Sequence, residues 1–366
     1  MEISIIGLPK SGRTTIFNTL TGSKAEMATY TPAAVAPNLG VSRVPEPRLQ
    51  VLEQIFQPKK VVPAEVKYVD IAGMTRGCGR SEGMSGQVLN YLSCADALLQ
   101  VVRAFEDDRV PHIEGSVDPK RDVAIMDLEL VFYDLTIIEN RLKRLDVSLK
   151  CAKSFEREPY LKEQSLLQTI KSGLEKDIPI WQQGLSSGDI RSLSDYQFLT
   201  AKPMLVVIDI GENQLAQAAS LETEMSSAYS RAQFEVVALC GKLEMELGQL
   251  SVKEAEEFRN ALGLTESAVD RIIGISYRLL GLLSFFTVVS AELKAWTIPA
   301  GTTALKAAGR IHSDIERGFI RAEVISFEDF KRCGSIAEAK KQGLLRLESK
   351  NYTVQDGDII TFLFNV

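Results

Sequence analysis

Histidine is nearly absent, with two in 366 residues. Cysteine is sparse: five (Cys78, Cys94, Cys151, Cys240 and Cys333), an odd number, widely spaced and with no CxxC. These absences exclude a disulfide scaffold and a His/Cys zinc site. No apolar run approaches the roughly 20 residues that a membrane-spanning helix needs, so no membrane partner is expected. The opening Met1-Glu2-Ile3-Ser4-Ile5-Ile6 lacks the basic region and cleavage site of a signal peptide, and the expected compartment is the cytoplasm. Positive charge is not in excess either. Lys and Arg number 42 against 48 Asp and Glu, a net charge of −6, which argues against a nucleic-acid coat protein and against sequence-specific DNA binding. What is present, 45% apolar and 25% charged residues over 366 positions, is the balance of a globular chain of two or three domains.

Nearly continuous apolar runs at 3–6, 65–69, 97–102, 204–210 and 234–239 read as strands buried on both faces. Alternating with helical patterns, they imply an α/β domain with a parallel-rich sheet. Between the third and fourth runs, Leu128, Val131, Leu135, Ile138, Leu142, Leu145 and Leu149 keep an alternating spacing of three and four, a heptad seam. A polar stretch around 153–159 and then Leu167, Ile170 and Leu174 predict a second helix, and together an antiparallel hairpin inserted into the α/β domain. An ordinary packed helix pair fits the same pattern. After about residue 280 the texture becomes a small α+β module, with strands at 285–289, 293–298, 319–326, 344–347 and 359–366 and helices at 303–315 and 336–343. The expected division is 1–126 with 196–280 for the α/β domain, 127–195 for the insertion and 281–366 for the last domain.

The first strand is followed by Gly7-Leu8-Pro9-Lys10-Ser11-Gly12-Arg13-Thr14-Thr15 and then a helix. That is the context of a phosphate-binding P-loop: Gly7 and Gly12 free the backbone N–H groups to face phosphate, and the helix N-terminus favours an anion. Gly7, Lys10, Ser11, Gly12, Arg13, Thr14 and Thr15 are therefore candidate nucleotide-binding residues, with Thr14 offering a hydroxyl to Mg²⁺. The lysine of GxxxxGK[ST] is Arg13, which keeps the charge in a bulkier planar fork. Asp70-Ile71-Ala72-Gly73 ends a buried strand about 60 residues on. In a P-loop nucleotidase Asp70 serves the Mg²⁺ and the Gly73 N–H meets the γ-phosphate.

Gly7-Leu8-Pro9, Val69-Asp70-Ile71-Ala72-Gly73, the run Val101 to Asp108 and Val117-Asp118-Pro119 resemble the YchF/Obg-like ATPases. So do Ala295-Trp296-Thr297-Ile298-Pro299, Ala308-Gly309-Arg310-Ile311-His312, Gly318 to Val324 and Tyr352 to Asp358, which look like the TGS module of that family. The resemblance covers the whole chain. It implies a P-loop G domain, a coiled-coil insertion and a C-terminal β-grasp (TGS) domain. It also implies Mg²⁺-dependent hydrolysis of ATP with GTP weaker, and association with the ribosome through its RNA or protein. By position it assigns base recognition to Asp209, Ile210 and Glu212, and it makes His112, with Arg13 and Gly73, a catalytic candidate. A packing role is the plain alternative for His112.

Three positions depart from the family pattern. Arg13 replaces the P-loop lysine. Ala34 stands where a threonine would complete the Mg²⁺ shell, with Ala33 where a cysteine is expected. Asp209 stands where an asparagine would both donate to and accept from adenine; an ionised carboxylate only accepts. Loss of one charge-stabilising contact costs roughly 2.7–4 kcal/mol in comparable sites. Two function classes therefore stay open: a slow ATPase acting as a switch on the translation machinery, or a degenerate nucleotide-binding paralogue that serves as a scaffold through its helical arm and TGS domain. Dedicated RNA binding is weaker. Residues 282–366 hold 11 Lys and Arg against 10 Asp and Glu, and phosphate neutralisation drives most RNA affinity.

Overall fold

The computed structural model describes residues 1–23, 37–71, 86–229, 233–264, 266–289 and 291–365. Among them lie the strands β1 (Glu2–Ile6), β2 (Asn38–Arg43), β3 (Lys60–Val62), β4 (Glu65–Asp70), β5 (Ala97–Arg103), β6 (Met204–Asp209), β7 (Phe234–Leu239), β8 (Leu282–Val289), β9 (Glu292–Pro299), β10 (Phe319–Ser326), β11 (Arg346–Glu348) and β12 (Asp358–Phe364). They form two sheets, ordered β2-β4-β1-β5-β6-β7 and β11-β10-β12-β8-β9-β3. The chain divides into two compact units: Met1–Val41 with Lys67–Val269, and Ser42–Val66 with Asp270–Val366.

In the first unit β1 pairs parallel with β4 and β5, β5 with β6, and β6 with β7. Every residue of β5 and β6 is buried, as expected of apolar runs in a sheet covered on both faces. The order reverses at β1: β4 lies on one side and β5 on the other. The crevice beyond the C-terminal ends of strands at such a reversal is where open α/β sheets hold ligands.

The inserted hairpin begins with the helix Pro119–Cys151, about 50 Å long at 1.5 Å per residue. Asp118 caps it by accepting the Arg121 N–H at 3.1 Å, with Pro119 in the first helical position. The second helix is Ser154–Leu174. Only Ala152 and Lys153 separate the two, so the polar stretch marks a short turn rather than a long loop, and Pro159 sits at the sixth position of the second helix, past the first turn, where it removes one helical hydrogen bond. The seam is real: Val131, Ile138 and Leu145 share one buried cluster with Leu167, Ile170 and Leu174, and Leu135 and Leu142 pack on it. Leu128, at the start of the seam, is 37% exposed.

Asp134, fully buried on the first hairpin helix, ties the insertion to the chain that returns to β6. Its Oδ1 accepts the Leu199 N–H at 2.8 Å, and its Oδ2 accepts the Thr200 N–H at 2.9 Å and the Thr200 hydroxyl at 2.7 Å. That hydroxyl in turn accepts the Ile180 N–H at 3.2 Å. Burial pushes the Asp134 carboxyl up to about 6 against these hydrogen bonds.

In the second unit β8 and β9 form an antiparallel hairpin, β10 and β12 pair antiparallel, and β12 runs parallel to β8. The helix Ala304–Ile311 places Ala304 and Ala307 in one core with Phe285, Ile298, Val324 and Ile360. The single helix expected over 303–315 is two helices. His312 is extended (φ −161, ψ 143), and its Nδ1 caps the helix Ser313–Arg317 by accepting the Asp314 N–H at 3.1 Å. Residues 42–66, which the sequence division leaves in the first domain, cluster with the C-terminal residues. β3 pairs parallel with β9. Phe56 stacks on Phe330 with ring centroids 4.6 Å apart. Arg48 joins Glu46 at 2.6 Å and Asp356 at 2.8 Å.

Candidate functional site

The loop between β1 and the helix Arg13–Thr21 is built on two glycines that admit no side chain. Gly7 has φ +150, and a Cβ there would lie 2.5 Å from the Val101 carbonyl oxygen. Gly12 has φ +95 and caps the helix without a side-chain hydrogen bond, which leaves the start of the helix open to an anion at the Arg13 and Thr14 N–H groups. Lys10 is exposed and holds a left-handed φ of +65. Ser11 is 3% exposed, and its Oγ has no hydrogen-bond partner among the described residues. A buried, unsatisfied hydroxyl inside such a loop is the pattern expected of a group awaiting a ligand.

Beside the loop, at the end of β4, the Thr14 hydroxyl donates to Asp70 Oδ2 at 2.9 Å, and Asn38 Nδ2 donates to the same oxygen at 3.3 Å. Asp70 is 2% exposed, and its Oδ1 is buried with no partner among the described residues. A hydroxyl and an orphaned carboxylate oxygen form a hard-oxygen donor set, and Mg²⁺ suits it. Asn38, from the first position of β2, is a site residue outside the set expected from the sequence; its only signal there was its place four residues after Ala34.

Arg13 occupies the lysine position, but its guanidinium donates to the Ile71 carbonyl, just past β4. Burial lowers its pKa, and the nearby charge of Asp70 opposes that shift. The P-loop cation is thus turned toward the end of β4, within the field of the carboxylate that would serve the metal.

Asp209, the last residue of β6, is 4% exposed. Its Oδ1 accepts the Gly241 N–H at 2.9 Å. Its Oδ2 lies 2.3 Å from the place a Cβ on Gly12 would take. The side chain therefore joins three segments: the end of β6, the phosphate loop and the start of the helix Gly241–Leu247. Burial pushes its carboxyl up to about 7, with the Gly241 hydrogen bond and Arg103 acting against that. Ile210 is 1% exposed and belongs to the core. Glu212 is exposed and pairs with Lys242 at 3.0 Å.

His112 has other partners. Its side chain is 4% exposed; Nε2 lies 2.8 Å from Asp122 Oδ2, and Nδ1 accepts the Glu114 N–H at 3.2 Å. An Nδ1 that accepts leaves the proton on Nε2, where it is donated to Asp122. Both ring nitrogens are engaged, and none of these partners is a group of the P-loop, Asp70 or Asp209. The loop before it is organised by Arg103, 1% exposed, whose guanidinium donates to the Phe105 carbonyl at 2.8 Å and the Val110 carbonyl at 2.6 Å. Gly73, Ala33 and Ala34 lie outside the described residues.

Residues 2–133 match a family model described as MMR_HSR1, 50S ribosome-binding GTPase. Residues 282–365 match YchF-GTPase_C, described as a protein of unknown function (DUF933). The ribosome-binding ATPase YchF of Bacillus subtilis is 38% identical over 368 residues, covering 100% of both chains. Its counterpart from Haemophilus influenzae is 38% identical over 365 residues, covering 100% of this chain and 99% of that one. The solved Schizosaccharomyces pombe YchF GTPase aligns with a TM-score of 0.85 at 29% identity, over 99% of this chain and 97% of that one. The likeness runs end to end through P-loop domain, helical insertion and C-terminal domain, and the chain belongs to the YchF family.

Proposed function

We propose that the protein is a Mg²⁺-dependent nucleoside triphosphatase that takes ATP in preference to GTP, turns over slowly, and acts in the cytoplasm as a switch on the ribosome. The observation that carries this reading is the meeting of Thr14, Asp70 and Asn38 beside the phosphate loop, with Asp70 Oδ1 buried and lacking a partner among the described residues. Relatives named ribosome-binding ATPases, alike over the full chain, support the reaction and the partner.

In this reading backbone N–H groups between Lys10 and Thr15 bind the phosphates, with the Lys10 side chain at the rim, and Thr14 and Asp70 hold the metal; the Ser11 N–H is already donated to the Leu8 carbonyl. Bound Mg²⁺ supplies charge neutralisation at the transferred phosphoryl group. Arg13 adds positive charge once its guanidinium leaves the Ile71 carbonyl. Gly73 offers its N–H to the γ-phosphate. Ile210 and Glu212, following Asp209, flank the base. ATP is favoured because the chain has Asp209-Ile210-Gly211-Glu212 where guanine recognition requires NKxD. For His112 to position the attacking water, it must first release Asp122 and the Glu114 N–H.

Two observations favour a second reading, in which nucleotide binds and hydrolysis is negligible: Arg13 is engaged by Ile71, and His112 by Asp122. The deciding experiment is calorimetric titration with ATP, ADP and GTP, with and without Mg²⁺, followed by a turnover assay. Mg²⁺-dependent ATP binding with measurable turnover supports the first reading. Binding without turnover supports the second. No binding overturns both.

A further inference from the structure

We propose that nucleotide binding is coupled to uptake of one proton by Asp209, so that the neutral carboxyl group holds the phosphate loop in its ligand-bound form. This rests on the nucleotide-binding reading above and adds to it a proton taken from solvent.

The Asp209 carboxyl group is held between two backbone segments. Oδ2 is pressed against Gly12, the residue that opens the helix to which the phosphates bind, and Oδ1 is fixed by the Gly241 N–H at 2.9 Å. The side chain is 4% exposed, so solvent screens its charge poorly. A polyanion seated on the loop meets a second negative charge behind the same backbone. Two like charges in one poorly screened site favour the neutral form of whichever is a carboxylic acid.

Among the described residues no cation forms an ion pair with the carboxylate, and the charge of Arg103 offsets it only in part. From β5, Arg103 stands opposite Asp209 in register, but its guanidinium is committed to the carbonyls of Phe105, Asp107 and Val110. From the phosphate loop, Arg13 donates to the Ile71 carbonyl. From the turn after β7, the Cys240 thiol is pushed up by burial and stays neutral. Lys242, on the next helix, is exposed and paired with Glu212 at 3.0 Å. Burial already brings Asp209 to about 7 without a ligand, so the added repulsion has a small gap to close. The neutral acid keeps an oxygen for the Gly241 N–H and places either an oxygen or an O–H beside Gly12, much as an uncharged amide would.

The test is calorimetric titration of the full chain with Mg-ADP, in pairs of buffers of equal pH and different ionisation enthalpy. ADP avoids turnover. For the wild type at about pH 8, uptake approaching one proton is expected, and affinity falls about fivefold between pH 7 and pH 8. Asp209→Asn is expected to abolish the uptake and the pH slope, and to bind about tenfold tighter than wild type at pH 8. Cys240→Ala is expected to leave the uptake unchanged. ADP binding with no net proton uptake overturns the inference, as does equal uptake in Asp209→Asn. A wild-type count of zero overturns the inference even if a variant folds poorly. No ADP binding at pH 6 or pH 8 overturns the nucleotide-binding reading itself, a distinguishable result.

Discussion

Replacing Asp134 by asparagine sets two effects of opposite sign against each other, and pH separates them. Three donors, the Leu199 N–H, the Thr200 N–H and the Thr200 hydroxyl, converge on the two carboxylate oxygens at 2.7 to 2.9 Å. The hydroxyl is not free to turn, because it accepts the Ile180 N–H. An asparagine offers one oxygen and one amide, so one buried N–H must face another donor, at about 1–3 kcal/mol whatever the pH. The carboxyl also carries a burial penalty. Its folded pKa of about 6 lies above the ordinary carboxylic acid value of 3.8. A raised acid pKa means that the folded state binds the proton more tightly, so stability is lost as pH rises from about 4 to about 6. Between about pH 4.5 and pH 7.5 that loss amounts to about 2 kcal/mol. Asp134→Asn should therefore be clearly less stable than wild type at pH 4.5 and gain about 2 kcal/mol relative to it by pH 7.5. Urea unfolding followed by tryptophan fluorescence in a Trp296→Phe background measures this, because Trp181 then reports alone, next to Ile180 in the first unit. A stability difference that does not change with pH would refute the argument that Asp134 is a strained carboxylate.

Gly12→Ala would set a methyl group 2.3 Å from Asp209 Oδ2 at a φ of +95; nucleotide binding should disappear and stability should fall by about 2 kcal/mol or more, read by titration and thermal melting. Arg13→Lys replaces the fork held by Ile71 with a compact point charge; turnover per bound ATP should rise about tenfold or more, and an unchanged rate would show that Arg13 is not what slows the reaction. His112→Asn removes the Nε2 partner of buried Asp122; stability should fall by about 1–3 kcal/mol. An unchanged melting temperature with lost turnover would instead mark a catalytic histidine.

What the sequence discloses here is whatever short stretches encode by themselves. The phosphate loop is legible because Gly7 and Gly12 are required by local backbone geometry. The seam is legible because Val131, Ile138 and Leu145 repeat at heptad spacing. Asp70 is legible because DxxG ends a buried run. Contacts made across long separations leave no local trace. Arg48 meets Asp356 308 residues away, and so residues 42–66 read as part of the first domain. Asn38 donates to Asp70 from a different strand. Asp209 reads as a base-recognition residue from its place in the motif, yet its carboxyl group faces Gly12 and Gly241. His112 matches by position, yet Asp122 and Glu114, close in the chain, hold it.

The central claim is that the Thr14–Asp70 site makes the phosphate loop a working, metal-dependent nucleotide site. Its most direct test is the affinity for ATP and GTP with and without Mg²⁺, compared between wild type and Thr14→Ala. The account predicts micromolar ATP binding that weakens when Mg²⁺ is withheld, exceeds GTP binding, and in Thr14→Ala no longer responds to Mg²⁺. Equal ATP affinity with and without Mg²⁺, or no nucleotide binding at all, would contradict it.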